Sequence, residues 1–444
     1  METWDVIVAG AGVAGLTAAE QLGKAGLKVL VLEARDRVGG RISTLPGLTS
    51  EHGIELGAEF VHGKPPEFDR YLHTHGLRLR EADGQSYCSG NTSPERCEGL
   101  DFGILDKLNQ MSPTDFPDET FEQTLATRFA SFSEEKKEWA SRFVQGFHAA
   151  DPSRISTHSI MIDGKAEEQT EGDRAFHVVG GYSKVVETLC RNLSSTVKVT
   201  IKAAVQSVNW KQGGVRVQAA IGGNDCFEYA ARALVISLPV GVLQQGPGSA
   251  GAVEFDPALD EKQNALASVA MGPVVRMVLQ FNSIFWEDSQ LLRSRTLKNL
   301  HFLFAQDTVF PTYWTANPVR LPLLVAWAAG PLADAKRGQT KDQLEAEALK
   351  ALSRILAIPE DALHQRFLRS YFNDWQEDRF SRGAYSYVLA GGVARQKDLA
   401  RPVQATLFFA GEATQSDGHR ATVHGAFASG TRAAREVLSV LHGS

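Results

Sequence analysis

Gly10, Gly12 and Gly15 stand between an apolar run, "DVIVAG", and a helix-patterned run, "GLTAAEQLGKAG", and a carboxylate, Glu33, follows about 20 residues later. The first glycine permits a tight turn, the second lets a pyrophosphate approach bare backbone, and the third lets helix and strand pack closely. The helix start then turns its positive end toward the phosphates. Glu33 closes the next apolar run, "KVLVLE", where a carboxylate accepts both hydroxyls of an adenosine ribose and disfavours a 2'-phosphate. Ala14 inside the glycine turn, with Ala34 and Arg35 after the acid, completes this dinucleotide-binding set. A second candidate is a lone cation, Arg276, in the apolar run "MGPVVRMVLQF". A guanidinium cannot shed its charge in a protein, so a buried one needs partners.

Strand, turn, helix, strand and acid arrive in order, which makes a Rossmann-type unit rather than a stray glycine motif. Further along, "HVVGGYSKVVETLCRNL", "TVKVTIKAAVQSVNWKQGGVRVQAA" and "RALVISLPVGVL" predict a helix, a strand ending near Val205, a hairpin and another buried strand. "TLFFAGE" predicts a strand ending in a glycine turn at Gly411 and Glu412. "TVHGAFASGTRAAREVL" predicts a helix whose small residues Gly425, Ala426, Ala428 and Gly430 allow close approach. The nucleotide-binding domain is therefore expected in three pieces, 1–80, 176–249 and 396–444. The intervening 81–175 and 250–395 are expected to build an α+β substrate domain on a mixed or antiparallel sheet, with "EEQTEGDRAF" as a polar, acidic connector.

At 444 residues two domains are the default expectation. A formal charge of −6 provides no basic footprint for nucleic acid. The four cysteines, Cys88, Cys97, Cys190 and Cys226, show no zinc spacing and no CxxC, so neither a metal site nor a disulfide framework is expected, and reduced thiols fit a cytoplasmic protein. The chain enters its first strand without a basic leader, and no apolar run approaches the ~20 residues that span a bilayer. A soluble monomer or homodimer without a membrane partner is the expectation.

"EARDRVGGR", "GIELGAEFVHG" and the closing "LFFAGEATQSDGHRATVHGAFASGTRAAREVL" together resemble the FAD-containing amine oxidase family, which includes monoamine oxidases, polyamine oxidases, lysine-specific histone demethylases and L-amino acid oxidases. The resemblance covers nearly the whole chain and implies a glutathione-reductase-like FAD domain. It implies that Gly40 and Arg41 line the diphosphate and flavin, that Gly57 and Ala58 lie at the ring, and that the backbone of Val205 meets the adenine. Glu412 is implied at the ribityl or phosphate region. The amides around Thr422 and Val423, with Ala426 behind them, are implied at the flavin edge that turns negative on reduction.

"NDWQEDRFSRGAYSYVLAGG" resembles the family's segment in front of the flavin. Monoamine oxidases attach FAD through a cysteine there; Ala384 occupies that position, which implies noncovalent FAD. Tyr385 matches the aromatic wall and Trp375 the segment's tryptophan, while Thr422 replaces the second tyrosine of the monoamine oxidase cage. His62 matches a histidine of polyamine oxidases, with a hydrogen-bonded structural histidine as the plainer reading. Glu59, near the site, suits an ammonium and repels an amino acid's carboxylate.

Arg276 stands where most of the family has a lysine. Three readings stay open for it: a charge-preserving substitute, a binder of a substrate carboxylate, or the partner of a structural acid such as Glu59. The implied reaction is hydride transfer from the carbon beside an amine nitrogen to FAD N5. The imine product hydrolyses to an aldehyde, and O2 becomes hydrogen peroxide. A polyamine-like or other cationic small-molecule amine is the expected substrate. The rivals are an FAD-dependent dehydrogenase or desaturase with slow oxygen reactivity, and a non-catalytic flavin-binding scaffold.

Overall fold

The computed structural model describes residues 3–89, 94–97, 103–222, 225–292, 296–305 and 308–443. The first apolar run forms the strand Thr3–Ala9, flanked in parallel by Val29–Leu32 and Asp225–Ile236. Val197–Thr200 extends the sheet beyond Val29–Leu32, and Leu407–Phe409 pairs in parallel with the end of Asp225–Ile236. The register sets Ala9 level with Leu32 and Ile236, and Leu32 level with Thr200. Five strands thus finish along one edge, from which Gly10, Glu33, Ser237 and, after Ala410, Gly411 depart. Open parallel sheets bind their ligands along that edge.

One strand expectation needs correction. The strand predicted to end near Val205 is two strands, Val197–Thr200 and Ala203–Lys211, separated by Ile201 and by Lys202 at φ +55°. The first pairs with Val29–Leu32, whereas the second pairs antiparallel with Gly214–Ile221, so the chain must turn between two different neighbours. Val205 sits at an irregularity in that second pairing.

The helix Val13–Lys24 lies against the last helix, Val423–Leu441, and glycine permits the contact: a Cβ on Gly430 would stand 2.3 Å from the carbonyl oxygen of Ala14. A Cβ on Gly15 would stand 2.0 Å from the Gly10 oxygen. No helix among the described residues is long and apolar enough to cross a membrane.

A second, mixed sheet runs in the order Phe367–Phe372, Val274–Phe281, Leu323–Ala329, Thr312–Trp314, Leu300–Ala305, Gln85–Ser89 and Glu95–Arg96. Alternation along Val274–Phe281 sends Val275, Met277, Leu279 and Phe281 into a core shared with Leu344, Leu349 and Leu352 of the helix Lys341–Leu356. Arg276 therefore points to the opposite face.

The helices Phe121–Thr127, Glu134–Phe147 and Thr157–Gln169 cover another side. Thr120, Ser133 and Ser156 cap them by accepting from backbone amides with their side-chain oxygens. The acidic stretch read as a connector begins as the last turn of Thr157–Gln169, so Glu167 and Glu168 are helical. The expectation of reduced thiols is also corrected, because Cys88 and Cys97 form a disulfide. Strand pairing sets Cys88 opposite Glu95 and Tyr87 opposite Arg96, a proximity that nine-residue spacing alone does not announce. Cys190 and Cys226 are free.

Candidate active site

A cavity of about 1490 Å³ runs from the glycine turn to the second sheet. That exceeds the ~300–1,000 Å³ of ordinary small-molecule sites and suits an extended dinucleotide with room beside it. Its nucleotide end is bounded by Gly10, Gly12, Ala14, Glu33, Ala34, Arg35, Gly40, Arg41 and Val205. Gly15 lies behind this wall, against the Gly10 carbonyl. Gly10 adopts φ +100°, and a Cβ there would meet Ser237 Oγ at 2.8 Å. A Cβ on Gly12 would meet nothing within 4 Å, so open space lies over bare backbone there.

Glu33 is buried, accepting from the amides of Ala11 at 2.8 Å and Arg35 at 2.9 Å. Each carboxylate oxygen keeps acceptor capacity for a ribose hydroxyl. The Arg35 guanidinium is held by Asp378 at 2.8 Å and by Ser381.

At the other end, Gly57 and Ala58 press on Arg41: the Ala58 amide donates to the Arg41 carbonyl at 3.3 Å. Arg41 spans to Glu412 at 2.8 Å and to the Ala384 carbonyl at 2.8 Å. Glu412 also accepts from Ser386 Oγ and the Ala421 amide. Thr422 caps the last helix by accepting from Gly425 N at 2.9 Å, and Val423 and Ala426 line the cavity beside it. Three hydrogen bonds to Glu412, from Arg41, Ser386 and the Ala421 amide, thus join distant segments around one volume, which accommodates an extended cofactor.

Trp375 is locked by its Nε1 donating to Leu56 O at 2.7 Å, and Tyr385 by its hydroxyl donating to Phe147 O at 2.9 Å. Burial raises the Tyr385 phenol well above its ordinary range, so it stays protonated and offers a ring wall. His62 meets Phe147 edge-on at 5.4 Å, and burial pushes it down to about 4. It is neutral at pH 7, and no hydrogen bond of its ring is present among the described residues.

Of the partners considered for Arg276, the chain itself supplies Glu59. Arg276 Nη2 donates to Glu59 Oε2 at 2.7 Å, with the residues 5% and 8% exposed. Trp314 Nε1 donates to the same oxygen at 2.8 Å. Burial works against the Glu59 carboxylate, but Arg276, with His177 and His52 behind it, outweighs that and holds its pKa below the usual range. Burial pushes His177 and His301 down to about 4. Arg276 Nη1, His177 Nε2 and His301 Nε2 are buried without a partner among the described residues.

Sequence reasoning missed Trp314, His177 and His301, and also Asp163, His148, Glu167 and Arg420, all in or behind the cavity wall. Asp163 and Glu167, four residues apart on one helix, carried a spacing signal; the others are brought in by distant segments and carried none.

Parallel strands that bring a glycine turn, a buried acid and an aromatic wall along one cavity fit the class of dinucleotide-dependent oxidoreductases. The chain belongs to the flavin containing amine oxidoreductases, whose family model matches residues 13–89 and 106–438. FAD is the cofactor, and the enzyme is an FAD-dependent amine oxidase.

Polyamine oxidase 2 of Arabidopsis thaliana is 29% identical over 463 residues, covering 97% of this chain and 87% of that protein. Lysine-specific histone demethylase 1 homolog 2 of Arabidopsis thaliana is 30% identical, covering 98% of this chain and 58% of that protein. The fold superposes on a putrescine oxidase bound to putrescine with a TM-score of 0.80, at 23% identity over 99% of both chains.

Proposed function

We propose that the protein oxidises a cationic, polyamine-like amine, with FAD held noncovalently and O2 as electron acceptor. What FAD supplies in that cavity is a two-electron acceptor for the C–H bond beside the amine nitrogen, leaving an imine that hydrolyses to an aldehyde, with hydrogen peroxide from O2. The observation that carries the reading is the continuous cavity that joins the Gly10–Glu33 nucleotide end to the Tyr385, Trp375 and His62 wall. Relatedness to a polyamine oxidase over nearly both full lengths supports the substrate class.

Gly10, Gly12, Glu33, Arg41 and Glu412 hold the cofactor, and Thr422 and Val423 turn the positive end of the last helix toward it. Ala384 offers no thiol for attachment. Tyr385 and Trp375, with their polar atoms already committed, orient the amine against a fixed wall. His62 is uncharged and adds no cation to repel an ammonium; burial makes it a weak base, so it lines the wall as a neutral ring beside an amine that reacts in its neutral form. Arg276 and Glu59 form a paired positive and negative charge behind that wall.

The test is an anaerobic panel of spermine, spermidine, their acetylated forms, aromatic monoamines and amino acids, read by loss of flavin absorbance, followed by mixing with air. Reduction by polyamines with prompt reoxidation and peroxide release is expected. Reduction only by amino acids would overturn the substrate class. Slow reoxidation, with fast turnover on an artificial acceptor, would overturn the oxidase reading.

A further inference from the structure

The cavity wall holds a second carboxylate cluster, built by different elements from those around Glu59. The helix Thr157–Gln169 places Asp163 and Glu167 one turn apart on the wall. The loop before Val423–Leu441 brings Arg420 against them: its Nη2 bonds Asp163 Oδ2 and donates to Ser159 O at 3.1 Å.

Among the described residues this cluster holds more carboxylate than cation. Asp163 is 6% exposed, yet its other oxygen, Oδ1, has no hydrogen-bond partner among the described residues. The Glu167 carboxylate, which faces the cavity, has no ion pair or side-chain hydrogen bond among the described residues. Two carboxylates share one guanidinium, and neighbouring histidines do not make up the charge. His148 lies 3.7 Å from Asp163, but burial and Arg420 push it down to about 3, and burial holds His424 well below its ordinary value. Consistent with the shortage, burial, assisted by Asp417, lifts Asp163 to about 7 despite Arg420. Burial and Asp163 lift Glu167 to about 8.

The helix Glu134–Phe147 adds an apolar wall to the same cavity. Trp139 and Phe143 stack at 5.9 Å, Phe143 and Phe147 at 5.2 Å, and Phe147 then meets His62. The row extends over about 12 Å of helix. Methylene groups suit the row, and an ammonium suits the carboxylates.

We infer that Glu167, together with the Asp163 that Arg420 anchors, binds the second ammonium of an α,ω-diamine or longer polyamine whose other end reacts at the Tyr385 and His62 wall. This rests on the amine-oxidase reading above and adds to it the residue that selects for a second charge. The probes are 1,4-diaminobutane, spermidine and butylamine, compared by kcat/KM on the FAD-loaded enzyme.

Glu167→Gln is expected to lower the ratio of diamine to butylamine kcat/KM by about 10- to 100-fold, mainly through KM. Glu167→Asp should retain an intermediate ratio. The flavin spectrum and melting temperature should stay at wild-type values in both variants, which separates substrate selection from a structural role. Equal losses with both amines, or an unchanged ratio, would overturn the inference. Wild-type turnover of butylamine without preference for diamines would overturn it alone, whereas no reduction by any amine would overturn the amine reading as well.

Discussion

Two guanidiniums face buried carboxylates in the same cavity, and the two pairs behave in opposite ways. Glu59 receives Arg276 and Trp314 on one oxygen and is held below the usual carboxylate range. Asp163 also receives an arginine, yet is lifted to about 7. Burial opposes ionisation equally in kind at both sites, so the difference comes from the company. Glu59 has a second donor and lies beside histidines, whereas Asp163 has Asp417 and Glu167 nearby and an oxygen without a partner. A guanidinium–carboxylate contact therefore says little until the remaining charges and lone pairs around it are counted.

Breaking the Arg276–Glu59 pair should have the largest effect. Arg276→Met strands a buried carboxylate, and a loss of about 3–5 kcal/mol in urea unfolding is expected. Trp314→Phe removes one donor to a charged acceptor and should cost about 1.5–3 kcal/mol, with an upward shift of Glu59 measurable by the pH dependence of stability. That shift makes the variant less destabilised in acid than at neutral pH, because a raised folded-state pKa lets the carboxyl keep its proton in the native state.

Arg420→Met should cost less at pH 6, about 1–2 kcal/mol, because Asp163 can take a proton instead of standing as a bare charge. Its folded pKa then lies further above the unfolded value, so the loss should deepen as pH rises through 7 and beyond, a trend that unfolding at pH 6 and pH 8.5 would resolve. The smallest effect belongs to Arg276→Lys, about 1 kcal/mol or less, since the charge facing Glu59 is kept. In stopped flow it should leave anaerobic flavin reduction near wild type and alter reoxidation by O2; a change confined to the substrate requirement would instead assign Arg276 to substrate binding.

The nucleotide end was legible because its signals are local. Gly10, Gly12 and Gly15 sit within six residues, and Glu33 ends the adjacent strand. Parallel pairing then carries Leu32, Ala9, Ile236 and Phe409 to a common edge, as expected for buried apolar runs. The pairs that distinguish this cavity were less legible. Arg276 and Glu59 lie 217 residues apart, and their contact was one of three possibilities. Arg420 and Asp163 lie 257 apart, and the segment carrying Glu167 reads as a polar connector because its last turn lacks an apolar stripe.

Residue type and short-range spacing were enough to determine a split dinucleotide-binding fold, its ribose acid and its cofactor-facing helix, since strands, turns and helix starts depend on neighbours within a few residues. Only the tertiary structure decided which arginine faces a single acid and which is outnumbered. That balance depends on burial and on charges brought together from segments hundreds of residues apart, and neither quantity is written in local pattern.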